Sequence, residues 1–190
     1  MKCAECKSKE CYTGKDCTGI KKELEKKYVG EDKQLMEAAA KLEAEHYMKL
    51  TRVEELIEFG KTMGYKKLGL AFCIGLQAEA KTLNNILKTH FKVYSVCCKV
   101  CGINKNNLGV PHIRADRFEA ICNPIGQAEM LNKKKTDLNI ACGLCLGHDI
   151  LFSKHSKAPV TTVIVKDRVL AHNPSGVLHS WHYKKKLGLK

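Results

Sequence analysis

Apolar residues follow two different patterns along the chain, and the pattern changes near residue 64. Between residues 32 and 63 they recur every three or four positions in two stretches, which predicts two helices. Thr51 and Glu54 have the spacing of a capping box, which places the start of the second helix there, and Gly64 suits its end. This part of the chain is therefore expected to be helical.

Beyond residue 64, short apolar runs alternate with longer amphipathic stretches. The runs predict strands at 66–73, 91–98, 137–142 and 159–165. The stretches between them predict helices at 75–89, 124–135 and about 144–155, followed by a turn at 166–168 after the last strand. Such alternation indicates a parallel sheet with helices on its faces. We therefore predict an α/β fold of the Rossmann or flavodoxin type, with a parallel sheet of about four strands.

The first 20 residues, MKCAECKSKECYTGKDCTGI, contain few large apolar side chains and cannot bury a core of their own. They carry four closely spaced thiols, namely Cys3, Cys6, Cys11 and Cys17. Small segments of this kind fold around a metal, because the free energy of metal binding replaces the missing core. The spacing resembles ferredoxin-type cluster loops more than zinc ribbons, which favours an iron–sulfur cluster and leaves structural zinc or free thiols as alternatives.

The predicted domains follow from these patterns. They are a cysteine-rich metal-binding segment at 1–20, a helical segment at 21–64 and an α/β domain at 65–190.

A second group of thiols lies where the predicted strands end. Its members are Cys73 after the first strand, Cys97, Cys98 and Cys101 after the second, Cys142 and Cys145 after the third, and Cys122 just before a predicted helix. In parallel α/β sheets the carboxyl ends of the strands share one edge, where ligands bind near the point at which strand order reverses. Strand after strand ending in cysteine therefore predicts a metal or cluster site.

Core packing and thiol redox chemistry are the alternatives to metal binding by these seven thiols. Cysteine is often a small buried hydrophobe, so core packing accounts for any one of them. The Cys142-x2-Cys145 pair would also suit a redox dithiol at a helix N-terminus. If the thiols bind clusters, seven exceed the four that one cubane requires, which leaves spare thiols, a larger cluster or a second one.

Charged neighbours can tune such a site. His148 would share a helix face with Cys145 and is a candidate metal ligand or proton shuttle, although an exposed or capping role is the simpler alternative. Lys99 can offset the negative charge of thiolates or bind an anionic substrate, and simple solvation accounts for it equally well.

The irregular stretch 102–121 is long enough to cover the sheet edge as a lid. It contains His112, a candidate tuning residue, and Arg114 and Arg117 as candidate anion contacts. The tail histidines His179 and His182 do not complete a site and are expected at the surface.

Composition and charge limit the partners and the cellular compartment that the sequence predicts. The formal charge of +13 treats every cysteine as neutral, and two four-thiolate sites of about −2 each would lower it to about +9. The lysine runs at 133–135 and 184–186 lack interleaved aromatic residues, so a nucleic-acid partner is not favoured. No apolar run is long enough to cross a bilayer and the start lacks a signal peptide, which predicts a cytoplasmic protein without a membrane partner. In a reducing compartment, eleven cysteines indicate metal ligands or redox thiols rather than disulfides.

Several motifs together resemble a known family. They are the N-terminal cysteines, GLAFCIGLQAEA, VCCKVCG, CNPIGQAE, ACGLCLGHD and KDRVLAHNP. Together they resemble an uncharacterised, cysteine-rich family described only as metal-binding and found largely in anaerobes. The resemblance covers nearly the whole chain, and it implies metal binding and an anaerobic setting without naming a reaction.

The sequence thus predicts an iron–sulfur protein with two cysteine-ligated sites, of the 4Fe-4S type where four thiols hold each cluster. The N-terminal site would be structural or electron-relaying and the sheet-edge site redox-active or ligand-binding, with a redox protein or a small anion as partner. A metal storage, sensing or insertion protein without turnover, and a zinc-stabilised thiol–disulfide oxidoreductase, are the alternatives. The patterns predict neither a specific reaction nor an oligomeric state.

Overall fold

The structure is a computed structural model that describes residues 1–189. The chain forms two compact units, Met1–Lys49 and a larger one that begins at Leu50. The boundary falls just before Thr51, the predicted start of the second helix.

The first unit combines short turns with two helices. It has 3₁₀ turns at Cys3–Glu5 and Glu10–Thr13, followed by helices α1 (Lys21–Glu25) and α2 (Gly30–His46). Every residue from 1 to 30 is exposed, and Ala38 is the one buried residue of the unit. Burial of apolar surface therefore contributes little to holding residues 1–20 in place.

The second unit contains a four-stranded sheet. Its strands are β1 (Lys67–Phe72), β2 (Lys92–Cys97), β3 (Leu138–Cys142) and β4 (Val160–Ile164). Their order is β2-β1-β3-β4 and all neighbours are parallel, which confirms the predicted α/β fold. The chain moves from β1 to one side and then returns to its other side, so strand order reverses beside β1, as in flavodoxin-like sheets.

Helices cover both faces of this sheet. They are α3 (Arg52–Thr62), α4 (Gln77–Lys88), α5 (Pro124–Lys134) and α6 (His148–His155), followed by two short C-terminal helices, α7 (Ser175–His179) and α8 (Trp181–Lys186). Side chains of α3 and α4 pack with Leu68 and Leu70 of β1, whereas α5 and α6 pack with Ala71. Successive residues of a strand point to opposite faces, so β1 serves both cores.

Most predicted elements are confirmed, with small shifts at their ends. The capping box is present, because the Glu54 carboxylate accepts a hydrogen bond from the Thr51 backbone N–H (2.7 Å) and the Thr51 side chain accepts one from the Glu54 N–H. The helix expected from about residue 144 begins only at His148, since Gly143 and Gly147 adopt left-handed backbone conformations that shape a turn first. The apolar pattern does not predict helices α1, α7 and α8.

The division into compact units places α3 with the sheet. The three predicted domains, at 1–20, 21–64 and 65–190, stay a prediction because their definition rests on metal-stabilised folding of the first segment. Over the described residues 1–189, no helix combines the length and the apolar character that a membrane span requires.

Candidate metal and thiol centre

The sheet register brings the ends of three neighbouring strands level. Phe72 of β1 lies opposite Cys97 of β2 on one side and Cys142 of β3 on the other. The backbone N–H of Cys73 donates to the Cys142 carbonyl (3.1 Å), and that of Cys98 donates to the Phe72 carbonyl (2.9 Å). Cysteines that are distant in sequence therefore meet at the carboxyl edge, beside the point where strand order reverses.

The inner part of this edge is a thiol cluster. Cys73 and Cys98 are buried, with 7% and 3% of their surface exposed, and they pack with Leu76. The half-buried Cys97 and Cys122 contact the same cluster. We call these four residues the inner thiols.

Helix α5 helps to position the inner thiols. The backbone N–H of Asn123, the residue before the helix, donates to the Cys98 carbonyl (2.7 Å) and so holds the neighbouring Cys122 against this edge. The buried Gln127 amide donates to the carbonyls of Val96 (2.7 Å) and Phe72 (3.2 Å), which ties the ends of β2 and β1 together. One helix start thus fixes the two strand ends that carry the cysteines.

The Cys98 and Cys122 thiols are direct neighbours with opposite pKa shifts. The hydrogen bond from Cys98 and the charges of Lys99 and His148 outweigh burial and lower the pKa of Cys122 to about 5. The same hydrogen bond, together with burial, raises the pKa of Cys98, although the Ile74 backbone N–H donates to its sulfur (3.3 Å). The pair therefore holds a thiolate at Cys122 beside a protonated Cys98.

Cys142 lies in a more apolar environment. It is fully buried, and burial, with smaller contributions from the charges of Glu79 and Cys73, raises the pKa of its thiol to about 11. Lys166, which follows β4, donates from Nζ to the Cys73 sulfur at 3.5 Å. The lysine that follows β4 thus contacts the thiol of the cysteine that follows β1.

Cys145 lies outside the inner thiols, in the turn between β3 and α6. The Arg168 guanidinium donates from Nη2 to the Cys145 sulfur at 2.9 Å. His148 is the first residue of α6, so Cys145 precedes the helix and the expectation that both share a helix face is wrong. The Gly143 and Gly147 turn is the physical reason, because it delays the helix by four residues from its expected start near 144.

Cys101 differs from the other edge cysteines. It is exposed and has a φ of 70°, in the left-handed region that residues other than glycine seldom adopt. The following Gly102 is also left-handed, so the chain turns sharply away from β2 at this point.

In the predicted lid, residues 102–121, hydrogen bonds join the residues where the loop begins to those where it ends. Ile121 N–H donates to the Ile103 carbonyl (2.8 Å) and Lys105 N–H donates to the Glu119 carbonyl (3.0 Å). The Lys105 ammonium also contacts the Glu119 carboxylate at 2.7 Å and, as the main cause, lowers the pKa of that carboxyl to about 2. The lid is thus a closed loop held by backbone pairing and an ion pair.

Lid residues and edge residues together line a cavity of about 370 Å³. The edge supplies Cys122, Cys145, Lys99, His148 and Arg168, and the lid supplies mainly apolar side chains. The lid therefore covers part of the thiol edge, as its length indicated.

The three candidate residues of the lid, His112, Arg114 and Arg117, do not line the cavity. His112 belongs to the lid itself, where its Nε2 pairs with the Asn106 side chain (2.8 Å) and its Nδ1 lies 3.7 Å from Glu119. Arg114 and Arg117 are exposed and do not line the cavity. The tail residues His179 and His182 are exposed, as expected.

Lys166, Arg168 and Gln127 are site residues that the sequence patterns do not reveal. The segment after β4 is predicted only as a turn, although it follows a strand and must reach the same edge. Applying the strand-end rule to charged residues as well as to cysteines would have found the two cations. No pattern points to Gln127, whose role depends on tertiary contacts.

The N-terminal thiols, Cys3, Cys6, Cys11 and Cys17, are all exposed. Cys6 accepts a hydrogen bond from the Lys9 backbone N–H (3.4 Å), which, with its contact to Ser8, lowers the pKa of the Cys6 thiol. Lys9 is left-handed, so the chain turns back over the sulfur. Backbone N–H groups directed at sulfur are one of the features that tune cysteine-ligated clusters.

The thiols suit a bound metal by their chemical type more than by their present arrangement. Within residues 1–189, no three Cys, His, Asp or Glu side chains are arranged to hold a metal ion as they stand. The donors nevertheless fit a thiolate-ligated group, since thiols are concentrated at both positions and cations contact several of the edge sulfurs. Ligation would need rotation of these side chains towards one another.

Fold and site together define a cysteine-rich α/β protein with thiols and cations at the carboxyl edge of a parallel sheet. The chain belongs to the family described as "Protein of unknown function (DUF1847)", whose model matches residues 11–163. It is 58% identical over 192 residues to the uncharacterized protein MJ0455 of Methanocaldococcus jannaschii, covering 98% of each chain. No solved structure matches it significantly. The resemblance to an uncharacterised cysteine-rich family is therefore confirmed, and the anaerobic setting stays a prediction.

Proposed function

We propose that this protein binds metal through its cysteines, as an iron–sulfur protein with two cysteine-ligated sites. The N-terminal site has a structural or electron-relaying role. The sheet-edge site is redox-active or binds a ligand. Bound clusters would supply one-electron redox chemistry or a Lewis-acidic iron.

One observation carries the proposal for the sheet edge: cationic nitrogens are directed at three of its sulfurs. Lys99 contacts Cys122 (3.5 Å), Lys166 contacts Cys73 (3.5 Å) and Arg168 contacts Cys145 (2.9 Å). Core packing of neutral thiols does not require such contacts, whereas a thiolate-ligated group is anionic and is stabilised by nearby positive charge.

The residues that would hold the groups follow from their location. At the N-terminus they are Cys3, Cys6, Cys11 and Cys17, and at the edge they are drawn from Cys73, Cys97, Cys98, Cys101, Cys122, Cys142 and Cys145. Four thiols suffice for one cubane, so the edge has a surplus from which ligands can be exchanged. Zinc is the alternative metal, because it also prefers thiolate ligands.

The test is anaerobic purification followed by measurement of iron, zinc and acid-labile sulfide per chain. We expect about eight irons for two cubanes, with brown absorption that bleaches when dithionite is added. Protein that stays colourless and holds only zinc, even after attempted cluster reconstitution, would contradict the iron–sulfur proposal. Metal release to a mild chelator without a reversible potential would instead favour storage or insertion.

Matched variants assign the two sites. Cys11→Ser is expected to lose the iron of the N-terminal segment, about half of the total, because that segment has no spare thiol. Cys122→Ser is expected to release edge iron more readily to a chelator, because another edge thiol has to replace the missing ligand. Each variant serves as the control for the other, since both replace one sulfur by oxygen. Equal and complete loss of iron in both variants would contradict two separate sites.

A thiol–disulfide oxidoreductase is the second candidate, favoured by the direct contact between Cys98 and Cys122. In this reaction the Cys122 thiolate attacks a substrate disulfide and releases one thiol. The Cys98 sulfur then attacks Cys122, which forms the internal disulfide and releases the second thiol. The metal-free protein would reduce oxidised glutathione and become lighter by about 2 Da, the mass of two hydrogens. Cys98→Ser would stop at a mixed disulfide.

A further inference from the structure

The cavity beneath the lid has two chemically different sides. Lys99, His148 and Arg168 line the side formed by the sheet edge. Leu108, Val110, Ile113 and Ile121 line the side formed by the lid. Of the lid side chains, Ile113 is 87% exposed and Leu108 is 60% exposed, so both can offer apolar surface to a ligand.

The charges lining the cavity do not balance. Its permanent cations are Lys99, Lys105 and Arg168, and its one carboxylate is Glu119. Glu119 pairs with Lys105 at 2.7 Å, so these two charges compensate each other. Lys99 contacts the Cys122 thiolate, so these two charges also compensate each other, and Arg168 is left without a carboxylate partner beside the cavity. A site of this kind attracts an anion.

The geometry of the cations narrows the type of anion. The Arg168 guanidinium has five N–H donors in a planar fork, which matches the two oxygens of a carboxylate. Its contact with the Cys145 sulfur is made from Nη2 alone. Lys99 donates to the Ala120 carbonyl (2.7 Å) and to the Cys122 sulfur (3.5 Å), which leaves one of its three N–H donors for a ligand.

The size of the cavity narrows the ligand further. A volume of about 370 Å³ lies near the lower end of the ~300–1,000 Å³ typical of small-molecule sites. A short carboxylic acid fits this volume, and its aliphatic part matches the apolar lid.

We infer that this cavity binds a small organic carboxylate, with its carboxyl group at Arg168 and Lys99 and its aliphatic part against Leu108 and Ile113. The binding inference rests on the cavity itself, and only the role of the ligand as substrate rests on the proposed function. A bound carboxylate would lie beside Cys122 and Cys145, so that the thiol centre and the ligand share one cavity.

The test uses two probes of nearly identical shape, 3-methylbutanoate and its neutral amide, 3-methylbutanamide. Binding to the anaerobically purified full chain is measured by calorimetry and by ligand-observed NMR. We expect the carboxylate to bind at least about tenfold more tightly than the amide, because a charge-assisted bidentate contact is the stronger one. Equal affinity for both probes would overturn the inference.

Three variants separate charge from shape. R168Q should remove the preference for the carboxylate, and R168K should restore part of it. L108A should weaken both probes equally, since it removes apolar contact alone. K88Q, which removes an exposed charge at the end of α4, is the matched control and should change neither. An unchanged carboxylate preference in R168Q, at an unchanged melting temperature, would also overturn the inference.

Repeating the measurement on brown and metal-free protein separates this inference from the proposed function. Carboxylate binding to a protein that cannot be loaded with iron supports the cavity and rejects the clusters. Absence of carboxylate preference in fully loaded brown protein rejects the cavity and leaves the clusters standing.

Discussion

Cys98 and Cys122 are neighbouring thiols at the sheet edge, and their pKa values are shifted in opposite directions. Cys98 is buried and donates to Cys122, while the Lys99 ammonium donates to the same sulfur at 3.5 Å. The lowered pKa of Cys122 means that its thiol is mainly anionic above about pH 5 instead of only above the ordinary value of 9.0, and it gains a proton as the pH falls through about 5. The thiolate is the nucleophilic form of cysteine, so Cys122 is available for reaction at neutral pH.

Alkylation of the metal-free, reduced protein tests this pKa. At pH 6 we expect iodoacetamide to modify Cys122 far faster than it modifies a free cysteine peptide, because only the thiolate reacts and the peptide thiol, with a pKa of about 8.5, is below about 1% ionised there. K99Q should move the Cys122 profile to higher pH, whereas K166Q, which removes a cation from Cys73, should not. Peptide mass mapping follows each thiol, and a Cys122 profile that matches that of the free cysteine peptide would contradict the prediction.

At the scale of elements, the lid depends on the Lys105–Glu119 ion pair. The lowered pKa of Glu119 keeps its carboxylate ionised below the ordinary value of 4.5, so the stabilising effect of the ion pair is complete above about 4.5 and is lost as the pH falls towards 2. The side chains of both residues are largely buried, at 14% and 17% exposure, which protects the pair from screening by salt.

Limited proteolysis tests this role. E119Q should speed tryptic cleavage after Arg114 and Arg117 several-fold, because the variant loses the ion pair and weakens the bonds from the backbone of residues 113 and 114. E129Q, an exposed carboxylate of α5, is the control and should leave the rate unchanged. An unaltered rate in E119Q would mean that backbone pairing alone holds the lid.

Gly69, in β1 at the centre of the sheet, lies where side chains pack closely against the backbone. A Cβ added at Gly69 of β1 would overlap the Asn139 side chain and come within 2.8 Å of Leu131. G69A should therefore lower the free energy of unfolding by about 1–3 kcal/mol in urea titration. G176A, where the added Cβ meets Leu170 at an ordinary 3.5 Å, should cause no comparable loss.

The same elements show what can be predicted from the sequence. Strands and the helices that flank them follow from local apolar patterns, and the capping box locates α3 within one residue. The predicted start of α6 is wrong because left-handed glycines delay a helix without changing its apolar pattern. Strand ends assign the cysteines to the edge, and the same rule would assign Lys166 and Arg168. Which sulfur each cation contacts, 93 and 23 residues away in the sequence, follows only from the folded sheet.

At the scale of the whole molecule, the two units obtain their order from different sources. The unit that begins at Leu50 has apolar cores on both faces of its sheet. Met1–Lys49 has one buried residue and four exposed thiols near its start. Burial of apolar side chains accounts for the order of the unit that begins at Leu50. Metal binding is the proposed source of order in Met1–Lys49.

This difference predicts how the chain responds to truncation and metal removal. A fragment comprising residues 50–190 should fold alone, with a cooperative thermal transition, and retain about half of the iron of the full chain. Treating the full chain with a strong chelator should raise hydrogen exchange throughout residues 1–20, because their order is proposed to depend on bound metal. The sheet strands should stay protected, because their apolar cores remain. Protection of residues 1–20 that survives complete metal removal would contradict metal-stabilised folding, whereas an unfolded fragment would show that the sheet unit depends on the first 49 residues.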